Sequence, residues 1–297
     1  LEGLGPNQAI SYSLTTEKRA AQFQIAANAL PAMKLDYPMS VEHVATRMSI
    51  ASGLLGDVAY NHARKVANVA LYEQGRIFRP QAGQERPLEE EHVAGVLSGA
   101  LPAANWQTPA VAVDFYLVKG IVEQYLKNMA VAGEVTYVAD ASRAEMHPGR
   151  TANILLDGQL IGFLGQVHPV VAKEYKIPAT YVFELNLAAL LDAPTRDKHY
   201  DHISRYPAVT RDVALLVDKE VTNQELVAVI KKRGGAFLKE VTLFDLYTGS
   251  RLPAGKKSLA YTLTYQAQDA TLKEAEVNAA FDKVVHALET ECKAEIR

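Results

Sequence analysis

The sequence predicts an α+β chain in two parts: a mixed module with helices around an antiparallel sheet, then a smaller tail in β-α-β-β-α-β order. Three observations lead there. Apolar residues switch along the chain between the helical and the alternating period. No βαβαβ alternation of the doubly wound kind occurs. A polar stretch containing a proline, Asp192-Ala193-Pro194-Thr195-Arg196-Asp197-Lys198-His199, separates two apolar, strand-like segments. It marks a linker reaching to about Tyr206-Pro207, and the parts are read as 1–198 and 199–297.

Within the first part, Glu17 to Ala29 reads as a helix that starts after the cap candidates Thr15 and Thr16 and stops before Pro31. Leu54, Leu55, Val58, Ala59 and His62 recur at helical spacing, so a second helix follows Gly53. Asn68 to Phe78 and His92 to Leu101 read as an antiparallel strand pair joined by a long Gly/Pro/Glu-rich loop, Pro80 to Glu91. Leu117, Ile121, Val122, Tyr125 and Leu126 place a helix over Asp114 to Met129. Thr151 to Leu156 and Leu160 to Gln166 flank Asp157-Gly158, a dipeptide suited to the positive φ of a tight hairpin. Thr180 to Leu187 is a further strand.

The tail reads as strand Val209–Val217, helix Thr222–Arg233, strands Val241–Tyr247 and Ser258–Gln266, helix Leu272–Glu291 and a short strand Ala294–Ile296. That order is ferredoxin-like: two helices cover one face of a four-stranded sheet and leave the other open. Thr222 with Glu225 forms a capping box, and Gly234-Gly235 ends that helix. Leu259, Tyr261, Leu263 and Tyr265 alternate with Ser258, Ala260, Thr262 and Thr264, so the small polar set lies on the open face. In Val241–Tyr247 either set could face the helices. If Phe244 and Leu246 are core, Asp245 and Tyr247 emerge beside Ser258. An aromatic ring, a carboxylate and a hydroxyl on an exposed sheet could then stack one unpaired base and bond its edge; the alternative is ordinary surface decoration.

Composition narrows the classes. Of 297 residues, 48% are hydrophobic and 22% charged, which excludes disordered, collagenous and disulfide-scaffold readings. The single Cys292 allows no internal disulfide and fits a reducing, cytoplasmic setting. Apolar runs such as Val209 to Val217 carry charges and fall short of the roughly 18 residues a membrane helix needs, so no membrane partner is expected. The opening Leu1-Glu2-Gly3-Leu4 reads as the start of a piece of a longer protein. Net charge is −3, which argues against an all-round nucleic-acid glove. From Ile203 onward 14 Lys and Arg face 13 Asp and Glu, with local basic knots at Lys231-Lys232-Arg233 and Lys256-Lys257.

Catalytic signatures are missing. Gly249 to Lys256 resembles a phosphate loop, but five residues separate its glycines and Lys257 stands where Ser or Thr belongs, so it is a turn. His147-Pro148 and His168-Pro169 read as turn or helix-start pairs rather than metal ligands, and Glu73 as a solvent-facing or subunit-contact residue within an apolar strand. Two rival readings remain: a small-molecule-binding regulatory protein with a ferredoxin-like domain, and a metal hydrolase using His147, His168 and Glu73.

Specific segments resemble one family. Met146-His-Pro-Gly-Arg-Thr-Ala152, Asp157-Gly158, Gly162-Phe-Leu-Gly-Gln-Val-His-Pro169 and Tyr181-Val-Phe-Glu-Leu-Asn186 are similar to the C-terminal third of the bacterial phenylalanyl-tRNA synthetase β subunit. Thr46-Arg-Met-Ser49, Gly53-Leu-Leu55, Asn61-His-Ala-Arg64 and Leu71-Tyr-Glu-Gln-Gly-Arg-Ile-Phe78 fit the same subunit, although Ala51-Ser52-Gly53 stands where relatives often carry a proline before the glycine. Arg205-Tyr-Pro-Ala-Val-Thr-Arg-Asp-Val-Ala214, Phe244-Asp-Leu-Tyr247 and Gly255-Lys-Lys-Ser258 resemble its ferredoxin-fold anticodon-binding domain.

The resemblance implies a fold and a division of labour. Residues 1–198 would be a non-catalytic module with a class II synthetase-like antiparallel sheet and helices, followed by the ferredoxin-like anticodon-binding domain. A class II site needs arginines gripping ATP, one in a glycine-rich late motif. After Asn186 comes Leu187-Ala-Ala-Leu-Leu191, with neither Gly nor Arg, so ATP and Mg²⁺ would serve the complete enzyme through the α subunit and no cofactor is expected here. Segments 47–64 and 69–78 would pack on that α subunit. The tail would meet the anticodon of tRNA(Phe): Tyr247 stacking, Asp245 and Ser258 bonding the base edge, with Arg205, Arg211, Lys256 and Lys257 neutralising phosphates. Editing and Mg²⁺-associated segments would lie earlier in the longer subunit.

Overall fold

In the computed structural model, which describes residues 1–24, 30–197, 199–200 and 202–297, the front unit spans Leu1–Lys198 and the tail unit His199–Arg297. The front unit begins with β1 (Asn7–Gln8), β2 (Leu14–Thr15), α1 (Glu17–Ala20), β3 (Ala45–Thr46) and α2 (Ala51–Ala63). It continues with β4 (Val69–Arg79), β5 (Leu88–Ser98), α3 (Phe115–Asn128), β6 (Val135–Ala139) and β7 (Met146–Leu156). It closes with β8 (Gln159–Val167), α4 (Pro169–Tyr175), β9 (Thr180–Asn186) and α5 (Leu187–Asp192). Seven strands form one sheet in the order β1-β4-β5-β9-β8-β7-β6. Only the β1–β4 pair is parallel; the rest of the sheet is the antiparallel one the sequence predicts.

Helices cover both faces of this sheet. Leu54, Leu55 and Val58 of α2 pack with Ala94, Val96 and Val182 on one side. Val118, Ile121 and Val122 of α3 and Leu190 of α5 pack with Val93, Leu97, Phe183 and Leu185 on the other. Strands β5 and β9 bury side chains on both faces, which is why their apolar runs are nearly continuous.

Three expectations change. The helix read over Glu17 to Ala29 ends at Ala20, although Thr16 does cap it by accepting from the Arg19 N–H. Phe23 adopts φ 63° and stacks its ring on Phe163 at 6.2 Å. Burying that ring wins over continuing the helix; residues 25–29 of the expected helix lie outside the described residues. The β4–β5 loop is shorter than the sequence suggests, because Glu89, Glu90 and Glu91 join β5 opposite β4 and pair with Arg76 and Arg79. The start of the expected linker is tied to the front unit, since the Arg196 N–H donates to the Ala130 carbonyl and Pro194 accepts from Ala132. The predicted hairpin forms on Asp157 (φ 48°) and Gly158 (φ 81°), both in the left-handed region that a two-residue turn of this kind requires.

The tail unit runs β10 (Val209–Asp218), α6 (Asn223–Arg233), β11 (Leu238–Tyr247), β12 (Lys256–Tyr265), α7 (Glu274–Glu291) and β13 (Glu295–Ile296). Its antiparallel sheet has the order β11-β12-β10-β13, the ferredoxin-like arrangement. Both halves of the Thr222–Glu225 capping box are made. Leu226 and Ile230 of α6 and Val277, Val284 and Leu288 of α7 enclose Val213, Leu215 and Val217 with Leu259, Tyr261, Leu263 and Tyr265. Both helices therefore lie on the face that the longer apolar set of β12 presents. Among the described residues, no helix is long and apolar enough to cross a membrane.

Candidate nucleic-acid interface

The open face of the tail sheet is set by register. Residues opposite each other in an antiparallel ladder share a face, so the helix-facing Leu263 and Tyr261 place Val241 and Leu243 of β11 on the helix side. Simple alternation would send Asp245 and Tyr247 to that side as well. It does not, because the register shifts between Leu243 and Asp245: Phe244 is an extra residue, a β-bulge. Beyond it Asp245 stands opposite Ala260 and Tyr247 opposite Ser258, both on the open face, while Leu246 opposes Leu259.

The premise that Phe244 and Leu246 are core is therefore corrected: they are 58% and 51% exposed. The grouping it led to stands for another reason. The bulge, not a buried pair, changes which face Asp245 and Tyr247 occupy.

The expected phosphate contacts divide. Lys256 lies on the open face two residues before Ser258, with its Nζ donating to Glu295 at 2.7 Å and forming an ion pair with Asp218 at 3.9 Å. The Glu295 hydrogen bond is the main cause pushing its ammonium above the ordinary lysine value. Arg211 and Lys257 do not join the group, since they oppose Leu263 and Val217 on the helix side. There Arg211 donates to Asn278 Oδ1 and the Thr210 carbonyl, and Lys257 donates to the Lys219 carbonyl. Arg205 is exposed but precedes β10, near the Tyr265 end of β12. Seven residues of strand separate that end from Ser258, roughly 24 Å. Of the basic knot at 231–233, Arg233 donates to Glu291 at 2.6 Å.

The front unit holds buried polar clusters. Glu73, expected toward solvent or a subunit, is only 2% exposed. Its carboxylate accepts from Arg47 Nη1 at 2.6 Å and Ser11 Oγ at 2.5 Å. Glu184 accepts from Ser49 Oγ, the N–H groups of Ile50 and Ala51, and His92 Nδ1 at 2.8 Å. Burial alone would raise its carboxyl, but these bonds, led by the one from His92, outweigh burial and hold it below the usual glutamate range. His168 caps α4, its Nδ1 accepting from Val170, with Pro169 at the first helical position. His147 Nδ1 accepts from the Gly149 N–H. Among the described residues no three His, Cys, Asp or Glu side chains gather as a metal site, so the His147/His168/Glu73 hydrolase reading finds no support.

Residues 1–187 match the family described as "Phenylalanyl tRNA synthetase beta chain CLM domain", and residues 204–297 the "Ferredoxin-fold anticodon binding domain". The chain is 54% identical over 297 residues to the phenylalanine–tRNA ligase β subunit of Lactiplantibacillus plantarum, covering all of this chain and 37% of that one.

The chain belongs to the phenylalanine–tRNA ligase β subunit family.

The corresponding β subunit of Bacillus subtilis is 48% identical over the same span, again 37% of its length. This member of the β subunit family thus spans little more than a third of the curated relatives it matches. Among solved structures it is similar to the pyrrolysyl tRNA synthetase PylSc of Desulfitobacterium hafniense, with a TM-score of 0.46 and 12% identity over 64% of this chain and 61% of that one. Sequence reasoning on the β subunit tail missed the bulge at Phe244 and the partners of Lys256. An irregular register leaves no trace in a binary pattern, and Glu295 lies 39 residues from Lys256.

Proposed function

We propose that the tail unit binds the anticodon region of tRNA(Phe) and that the front unit packs on the catalytic α subunit of phenylalanine–tRNA ligase. In the complete αβ complex, ATP and Mg²⁺ drive the joining of phenylalanine to tRNA, and the reaction belongs to the cytoplasm, a setting that suits the free Cys292. One observation carries the RNA reading: the cross-strand pair Tyr247 and Ser258, with Asp245 two residues away, stands on the open face of the sheet.

Each group has a distinct task. The Tyr247 ring, 38% exposed, offers a surface on which an unpaired base stacks. The Asp245 carboxylate accepts from a base amino or imino group, and the Ser258 hydroxyl donates or accepts at the same edge. Lys256, beside them, meets the backbone phosphate. For the α contact, half of segment 47–64 is interior, since Arg47, Met48, Ser49, Ile50, Ala51, Ser52, Leu54, Leu55 and Val58 are buried. The exposed end of α2, with Tyr60 and His62, is the part left to meet a partner.

The test is titration of the 297-residue chain and its Tyr247→Ala variant with a tRNA(Phe) anticodon stem–loop at low salt, followed by amide NMR shifts. Shifts should centre on Asp245, Tyr247 and Ser258, and the variant should lose about 1–3 kcal/mol of binding, the worth of one stacked base. Binding unchanged in the variant, or shifts centred elsewhere, would overturn the assignment.

A further inference from the structure

We propose that Gly249 is a positioning residue for Tyr247, providing the empty space in which its phenol is seated; this rests on the reading of Tyr247 as the stacking residue. Strand β11 ends at Tyr247, and the chain then turns, with the Leu252 N–H donating to the Gly249 carbonyl at 3.2 Å. A β-carbon at position 249 would overlap Oη, Cζ and Cε2 of Tyr247. The phenol end of the ring therefore occupies the volume that any other residue at 249 would fill with its own side chain.

Conformation does not explain the glycine. The loop has a second glycine, Gly255, at φ +81°, where a side chain would strain the backbone but meet nothing within 4 Å. Gly249 is the reverse case: its φ lies outside the left-handed region, and only space is at issue. The two glycines of one loop separate backbone strain from ring seating.

The seat acts on binding through entropy and aim. A tyrosine free to rotate must be fixed when a base stacks on it, and fixing a side chain weakens association. With its phenol end lodged at Gly249, the ring is fixed before RNA arrives, on the face that Ser258 and Asp245 share. The Tyr247 side chain, seated in this way, is still part of a residue that is 38% exposed.

The experiment measures anticodon stem–loop affinity for Gly249→Ala, Tyr247→Ala, the double variant and Gly255→Ala in the 297-residue chain. In the RNA-free chain, nuclear Overhauser contacts between the Tyr247 ring and the Gly249 α-protons report the seat. Gly249→Ala is expected to weaken binding about three- to tenfold and Tyr247→Ala about tenfold or more. The double variant should bind no worse than Tyr247→Ala alone, while Gly255→Ala lowers stability and spares affinity. Wild-type affinity in Gly249→Ala, or an equal loss from it in the Tyr247→Ala background, overturns the seat while leaving the stacking role intact. Wild-type affinity in Tyr247→Ala overturns both. Absence of the ring contacts in the free chain also overturns the seat.

Discussion

Glu184 shows how one side chain can tie the front unit to pH. Its carboxylate is buried and bonded to His92, Ser49 and two backbone N–H groups. Its native pKa lies below the ordinary 4.5. In acid the unfolded chain therefore takes up this proton before the folded chain does. The stabilising contribution is complete above about pH 4.5 and disappears as pH falls through the lowered native value. Urea midpoints measured between about pH 3 and pH 6 should drop steeply in the native chain and more shallowly in Glu184→Gln, which has no such carboxyl to protonate. Equal slopes would remove Glu184 from the acid response. The sequence does not disclose such residues. Glu73 sits in an apolar strand, yet whether it is buried depends on Arg47, 26 residues earlier, and Ser11, 62 residues earlier. By contrast the His168-Pro169 pair was legible, because a cap and its helix are neighbours in the chain.

At the level of elements, the tail was readable almost throughout and the front helix after Thr16 was not. The capping box at Thr222, the alternation in β12 and the long apolar stripe of α7 are local signals, and the predicted segments coincide with the observed ones to within a few residues. The Glu17 segment fails because a distant ring contact, Phe23 on Phe163, decides its backbone. The bulge in β11 is the instructive case. Val241, Leu243, Asp245 and Tyr247 share one parity in sequence but two faces in the sheet, because Phe244 intervenes. Deleting that residue makes Leu243 and Asp245 consecutive in the ladder, opposite Tyr261 and Ala260 as they already are, so Asp245 and Tyr247 keep the open face. Deletion of Phe244 is expected to keep both the far-ultraviolet dichroism of the chain and its anticodon stem–loop affinity to within about twofold, because the face of Asp245 and Tyr247 does not change. A loss of more than about tenfold would mean that the strand slips to a new register on losing Phe244, and the pairing of Tyr247 with Ser258 would not survive the deletion.

Across the whole chain, each unit encloses its own apolar cluster: α2, α3 and α5 about the seven-stranded sheet, α6 and α7 about the four-stranded one. Separate cores imply separate cooperative transitions. Calorimetry of the full chain should resolve two, and His199–Arg297 expressed alone should reproduce one of them with an enthalpy of about 70 kcal/mol. A tail that melts only together with the front, or fails to fold alone, would contradict this. The place of β13 carries a last consequence. It lies against β10, with Leu215 opposite Ile296 and the Arg297 N–H bonded to the Ala214 carbonyl, so the strand that begins the tail unit and the strand that ends it are neighbours. A unit whose two ends lie on adjacent strands, here about five strand residues or roughly 17 Å apart, is a cassette. It can be inserted into a host loop, or rejoined end to end and reopened between β12 and α7, without parting any of the ladder that presents Tyr247 and Ser258.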